Sequence, residues 1–196
     1  MSLYRDTDEE TRSQRFGHYF ALLSIVLMLA FGYNLRTGAL TAVTAYTNNE
    51  AGIRAEYPFG WLLDTRGDYI FRVRDMARPG FKTTFQVSAY PLSRDMTARN
   101  VFDDLALRRA QTLPLYKGFG SQDIIVRGEE QAVQYEYTFV YVDPNPFVQS
   151  VPIAVVGRDI LFIRSGQAIV VTLLTDTQNY TRDLMLFDNF LAALDF

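Results

Sequence analysis

Two adjacent acid pairs, Asp103-Asp104 and Glu129-Glu130, are the first residues in this sequence that invite a chemical reading. Paired carboxylates perform general acid and base work when they converge on one point. Sequence neighbours point in different directions on a helix or a strand, so neither pair makes a dyad unaided. Both read as solvated faces or turns. Asp64, Asp68 and Asp75 lack the ligand spacing and the central glycine of a calcium loop. His18 is the only histidine, so no multi-histidine metal site can be built within the chain. There is no cysteine, which excludes disulfides, thiolate metal sites and thioether-linked haem. A Ser-His-acid triad fails because His18 lies inside an apolar run and the candidate serines outside it. No Gly-rich phosphate loop occurs. The chain therefore reads as a non-enzyme, and no cofactor or metal ion is expected to be held by it.

Length and composition limit the remaining classes. The 196 residues suit one ordinary domain with an accessory segment, and a hydrophobic fraction of 48% with 21% charged residues is globular. The net charge of −3 carries no clustered basic surface of the kind nucleic acid requires.

Residues 16–33, FGHYFALLSIVLMLAFGY, contain no formally charged side chain. As a helix this run is about 27 Å long, close to the thickness of a hydrocarbon core. Tyr19 and Tyr33 lie near its two ends, where aromatic rings favour the headgroup level. A helix start is signalled upstream by Thr7-Asp8-Glu9-Glu10, which has the form of a capping box. Arg12 and Arg15 precede the run and Arg36 follows it. That basic bias favours a cytoplasmic N-terminus and an extracytoplasmic C-terminal domain on the periplasmic side. Val43-Thr44-Ala45 is an acceptable cleavage site, but the run is long for a signal sequence, and an uncleaved signal anchor is the better reading. His18 has two readings: a ring kept in the interfacial zone, or a contact to a quinone, haem or partner subunit.

The expected organisation is a cytoplasmic tail at 1–15, a transmembrane helix at 16–33, a linker or peripheral segment at 34–51 and an extracytoplasmic domain at 52–196. In the last, Ile53, Ala55 and Tyr57 alternate before Pro58 and Gly60 break the strand ahead of Trp61. Strands are expected at 69–74, 83–90, 122–127, 133–142, 151–164 and 168–175, with Ser165-Gly166 as a hairpin turn. Tyr135, Tyr137, Phe139 and Tyr141 should share one face. Helical spacing marks 99–113, stopped by Pro114, and 179–194, with Leu184, Phe187, Leu191 and Leu194 on one stripe. Neighbouring strands with two separated helices make the class α+β, the helices covering an antiparallel sheet.

A first strand ending in Tyr-Pro-x-Gly-Trp, a central helix, long antiparallel strands and a closing helix ending FDNFLAALDF resemble the PsbP-like family of photosystem II extrinsic proteins. The resemblance covers roughly residues 52–196. It implies an α/β/α sandwich docked on the non-cytoplasmic face of a photosynthetic membrane complex, aiding assembly or stability without catalysis. It also implies that the Tyr-Pro-x-Gly-Trp stretch is architecture, with Trp61 turned into the core. The chain departs from the family in carrying its own membrane helix and in having no histidine beyond that helix, so metal or cofactor-tuning roles are not carried over.

The expected function is a membrane-anchored accessory subunit that stabilises or helps assemble a bacterial respiratory or photosynthetic electron-transfer complex. Its expected partners are the integral-membrane subunits of that complex and the lipid bilayer. A tethered ligand- or protein-binding module is the alternative, using a cleft between sheet and helices. The stiff loop Asp143-Pro144-Asn145-Pro146-Phe147 suits recognition if Phe147 is exposed at its tip, and is a plain connection if Phe147 packs inward. Tyr19, Tyr33, Pro144, Pro146 and Phe147 are the expected partner contacts.

Overall fold

The computed structural model describes residues 12–93, 96–128, 130–145, 147, 151–164 and 166–196. Thr7 to Glu10, Glu129, Pro146 and Ser165, singled out in the sequence, lie outside them. The chain forms two compact units, Met1–Ala42 and Val43–Phe196.

In the first unit, α1 runs from Arg12 to Leu40. Within it Phe16–Gly38 is long and apolar enough to cross a membrane, and none of it is buried by the chain itself. Apolar side chains around the whole circumference leave no polar face for water. The expected end of the helix at Tyr33 is corrected. Thr37 and Thr41 donate their hydroxyls to the carbonyls of Tyr33 and Thr37, at 2.9 and 3.0 Å. That bonding satisfies polar side chains on the helix itself, which continues to Leu40.

The second unit begins earlier than the sequence indicates. Val43–Asn48 forms β1, paired antiparallel with β2, Ile53–Pro58, so residues 34–51 are not a linker. Asn48 Oδ1 accepts from the backbone N–H of Glu50 and Ala51, both at 3.0 Å. Gly52 follows at φ 66°, a conformation open to glycine at no steric cost. Short polar and small side chains hide β1 from a periodicity search, since its half-buried face is Thr44, Tyr46 and Asn48.

The remaining strands are β3 (Leu62–Asp64), β4 (Phe71–Arg74), β5 (Thr84–Pro91), β6 (Lys117–Val126), β7 (Glu130–Tyr141), β8 (Ile153–Arg164) and β9 (Gln167–Asp176). They form one antiparallel sheet in the order β3-β4-β5-β9-β8-β7-β6. Helix α2, Ala98–Thr112, follows β5, and α3, Tyr180–Ala193, follows β9. The unit is α+β, an α/β/α sandwich. On one face Phe71, Phe85, Val87, Ile160, Phe162, Val171 and Leu173 pack with Phe187, Phe190, Leu191 and Leu194, joined by Ile53, Ala55 and Tyr57 of β2. On the other face Leu161, Ala168 and Val170 meet Val101, Phe102 and Leu105 of α2. Thr97 caps α2 through a reciprocal pair of bonds with Asn100.

The aromatic row on β7 lies on the α2 face. Tyr135 stacks on Phe102 with ring centroids 5.3 Å apart. Tyr137 is fully buried and lies over Gly157, its partner on β8, where an added Cβ would enter the ring. Arg109 places its guanidinium 4.2 Å from the Tyr137 centroid and pairs with the buried Asp159, which also accepts from Thr172 at 2.7 Å. Burial opposes the charge on Arg109, but the Asp159 carboxylate holds its pKa above the ordinary value.

Trp61 is only half-buried, tilted against Phe85 at 4.7 Å. It leaves the turn made by Pro58 and Gly60 just before the edge strand β3, so the expectation of a core tryptophan is corrected: it seals the rim of the core.

Burial, with the Asp159 carboxylate nearby, raises the Tyr137 pKa well above 10.0. In the unfolded chain the phenol ionises near its ordinary value of about 10, so above that pH the unfolded state releases a proton that the folded state keeps. Stability from this group is complete below about pH 10 and falls as pH rises toward the folded value. Tyr137→Phe is expected to flatten the alkaline limb of a denaturation-midpoint curve between about pH 9 and 11, and an unchanged slope would assign alkaline unfolding to other groups.

Candidate interaction surface

One end of the sheet gathers the C-termini of β7 and β9, the N-termini of β6 and β8, the C-terminus of α2 and the N-terminus of α3. Its geometry is set by Asp183 in the first turn of α3, which is completely buried. Both terminal nitrogens of Arg78 donate to this carboxylate, and Thr83 and Thr175 donate their hydroxyls. The Nε of Arg78 donates to Asp75 at 3.0 Å. A buried carboxylate is tolerated only when its lone pairs are satisfied in this way. The clamp fixes the segment before β5, so that Phe81 meets Phe139 and Tyr141 edge-on, at 6.3 and 5.1 Å between centroids.

Beside the clamp lies an open groove of about 690 Å³, lined by Arg78, Phe81, Val151, Ile153, Asn179 and Arg182 among others. At the same end of the sheet, the connections that flank β6, β7 and β8 leave apolar side chains in solvent. Phe147 is 94% exposed, Leu115 81% and Val151 78%. Phe147 is presented by two successive turns: Asn145 N–H donates to Asp143 Oδ1 at 2.9 Å, and Phe147 N–H donates to Asn145 Oδ1 at 3.1 Å. Leu115 has φ 53°, a left-handed conformation that costs a non-glycine residue about 1–2 kcal/mol. Such strain beside an exposed apolar group is the pattern of a functional loop.

The expected contacts fall in two places. Pro144 and Phe147 are exposed at this end, and Pro146 lies outside the described residues. The alternative of an inward-packed Phe147 is corrected, because its own turns point it away from the core. His18, Tyr19 and Tyr33 are exposed on α1. No group of three or more potential metal-ligating side chains occurs among the described residues. Leu115, Val142 and Val151 were not found from the sequence. A single valine or leucine in a connection has no period to mark it; only the Pro114 and Pro152 beside two of them offer a signal.

The acids serve structural ends. Asp104 pairs with Arg108 at 2.9 Å on the exposed side of α2, and Asp103 is exposed. Asp64 accepts from the backbone of Arg66, from Arg72 and from Tyr69, which holds its carboxyl below the usual carboxylate range. Glu130 pairs with Arg164 at 2.6 Å.

No protein-family model and no curated protein matches the sequence. Among solved structures, the solution structure of cyanobacterial PsbP (CyanoP) from Synechocystis superposes with a TM-score of 0.55 at 16% identity, covering 79% of this chain and 92% of that one. The chain has a PsbP-like fold. PA94 of Pseudomonas aeruginosa (TM-score 0.47, 16% identity) and the Ran-binding protein Mog1p of Saccharomyces cerevisiae (0.49, 8%) each also match 79% of the chain, over 96% and 95% of their own lengths. In PsbP-like terms, the clamp around Asp183 and the Phe147 loop belong to the end of the sandwich where α3 begins.

Proposed function

We propose that this protein is a non-catalytic accessory subunit, anchored by α1 with its N-terminus in the cytoplasm and its PsbP-like unit outside. It stabilises or helps assemble a respiratory or photosynthetic electron-transfer complex. The observation that carries the proposal is the exposure of Leu115, Val142, Phe147 and Val151 in the connections at one end of the sheet, where Val151 also lines the groove. Monomeric surfaces rarely group large apolar side chains unless another molecule covers them. The PsbP-like fold supports the accessory role, and the apolar α1 supports partners within the bilayer. Two attachment points on one complex raise each other's effective concentration, so moderate contacts at each suffice.

A small-molecule binding module is the second reading, favoured by the volume of the groove. Phe147→Asp separates them. In the docking account this change, which touches no core residue, weakens association with the host complex by about tenfold or more when a central apolar anchor is lost. The folded unit keeps its melting temperature. Retained association, measured by co-purification from native membranes, would favour the small-molecule reading.

A further inference from the structure

A second surface, remote from Phe147, is formed at the free edge of the sheet. Strand β6 pairs with β7 alone, leaving its outer N–H and C=O groups without a strand partner. Proteins protect such edges with bulges, charges and proline. The first half of β6 is protected in this way, with a register shift between Gly118 and Gly120 and a lysine at 117. The second half, Ser121-Gln122-Asp123-Ile124-Ile125-Val126, keeps regular register with β7, contains no proline and has one charge, Asp123.

A groove with an apolar floor and polar margins flanks this half on each face of the sheet. On the α2 face a groove of about 540 Å³ is lined by Ile125, Val133, Leu161, Ile163 and Ala98, with Asp123 its only charged side chain. Ile125 is 70% exposed although it faces this groove. On the α3 face a groove of about 270 Å³ is lined by Ile124, Val126, Ile160, Phe187 and Leu191. Its two arginines are engaged, Arg127 with the carbonyls of Leu191 and Leu194 and Arg158 with Glu136. Asp188, also in that groove, makes no ion pair among the described residues, and neither does Asp123.

We propose that residues 121–126 are a strand-addition site for an extended segment of a partner protein, apolar on both faces and basic at a flank. Main-chain pairing to the β6 edge supplies registration, and alternate side chains enter the two grooves in turn. Apolar residues on both faces are the pattern of a strand buried on both sides. A basic flank follows from Asp123, the only charged side chain of the α2-face groove, when the end of the added segment pairs opposite it. A second copy of this chain is the poorer occupant, because a two-fold axis through this half of β6 brings Asp123 close to its own copy.

The test uses the full-length chain in lipid nanodiscs and a labelled peptide, Lys-Val-Ile-Val-Ile-Lys. Two controls are used, one with Glu at both ends and one with a central proline. The Lys-flanked peptide is expected to bind about tenfold more tightly than the Glu-flanked one, as opposite rather than like cross-strand charges require. Bound peptide should slow amide exchange at 121–126, and the proline peptide should not bind. Asp123→Lys should reverse the preference between flanks, while Phe147→Asp leaves it intact, so failure here is separable from failure of the docking role proposed above. Equal binding of the proline peptide, protection elsewhere than β6, or dimerisation of the chain through β6 would each overturn the proposal.

Discussion

Alanine at Asp183 is expected to cost the PsbP-like unit about 3–5 kcal/mol, the range for removing one partner of a buried, hydrogen-bonded ion pair. The side chain is completely buried and receives five donors, two from Arg78, one each from Thr83 and Thr175, and a longer one from Arg182 at 3.4 Å. Removing it leaves both terminal nitrogens of Arg78, whose side chain is only 10% exposed, without their carboxylate, with Asp75 remaining on Nε alone, and leaves two buried hydroxyls without that acceptor. Asparagine should fall between, since it accepts from the threonines but cannot neutralise Arg78. Unfolding can be followed through the fluorescence of Trp61, the only tryptophan, which rests on Phe85 in the same core. A midpoint unchanged in denaturant would show that Asp183 does not hold this end of the sandwich together. The same variant should also weaken partner association, because the clamp positions Phe81 at the groove wall.

The second large effect concerns α1. Arginine at Leu27, midway along Phe16–Gly38, should disfavour membrane insertion by about 2.5–3.5 kcal/mol on the insertion scale. Snorkelling offers little relief at that depth, since both interfaces are equally far away. Alkaline extraction of membranes is the check. The wild-type chain should stay in the bilayer pellet and a large share of the variant should be released. An unchanged distribution would count against a spanning α1.

Much of this architecture was legible because burial imposes a period. The alternation from Val133 to Val142, with Tyr135, Tyr137, Phe139 and Tyr141 on one face, is the pattern of a strand, and the strand runs from Glu130 to Tyr141. The stripe through Phe187, Leu191 and Leu194 could belong only to a helix against a sheet. The resemblance carried by Tyr-Pro-x-Gly-Trp led to the sandwich, and the superposition on CyanoP agrees with it. What escaped notice is local or long-range. Strand β1 is built from small and polar residues whose pairing with β2 is decided by tertiary packing, with Tyr46 against Phe71 at 4.5 Å. The depth of Trp61 depends on β3 being an edge strand, which sequence order alone does not reveal. Asp183 reads as an ordinary first-turn acid of a helix, because Arg78 and Thr83 lie about a hundred residues away. The interaction surface was half visible: the prolines marked the Phe147 loop, whereas Leu115, Val142 and Val151 join it only through the fold.

The central claim is that the chain serves as a structural subunit of a membrane electron-transfer complex. It is tested most directly by deleting the chain and measuring that complex in native membranes after mild detergent extraction. The wild-type chain should co-purify in fixed proportion with integral-membrane subunits. Deletion should lower the yield or the melting temperature of the complex while leaving its absorption spectrum per intact complex unchanged. Purification of the chain free of such subunits, or a complex of undiminished yield and stability without it, would contradict the account. Loss of a haem or iron–sulfur signal from otherwise intact complexes would contradict it as well, and would direct attention to a cofactor contact near His18.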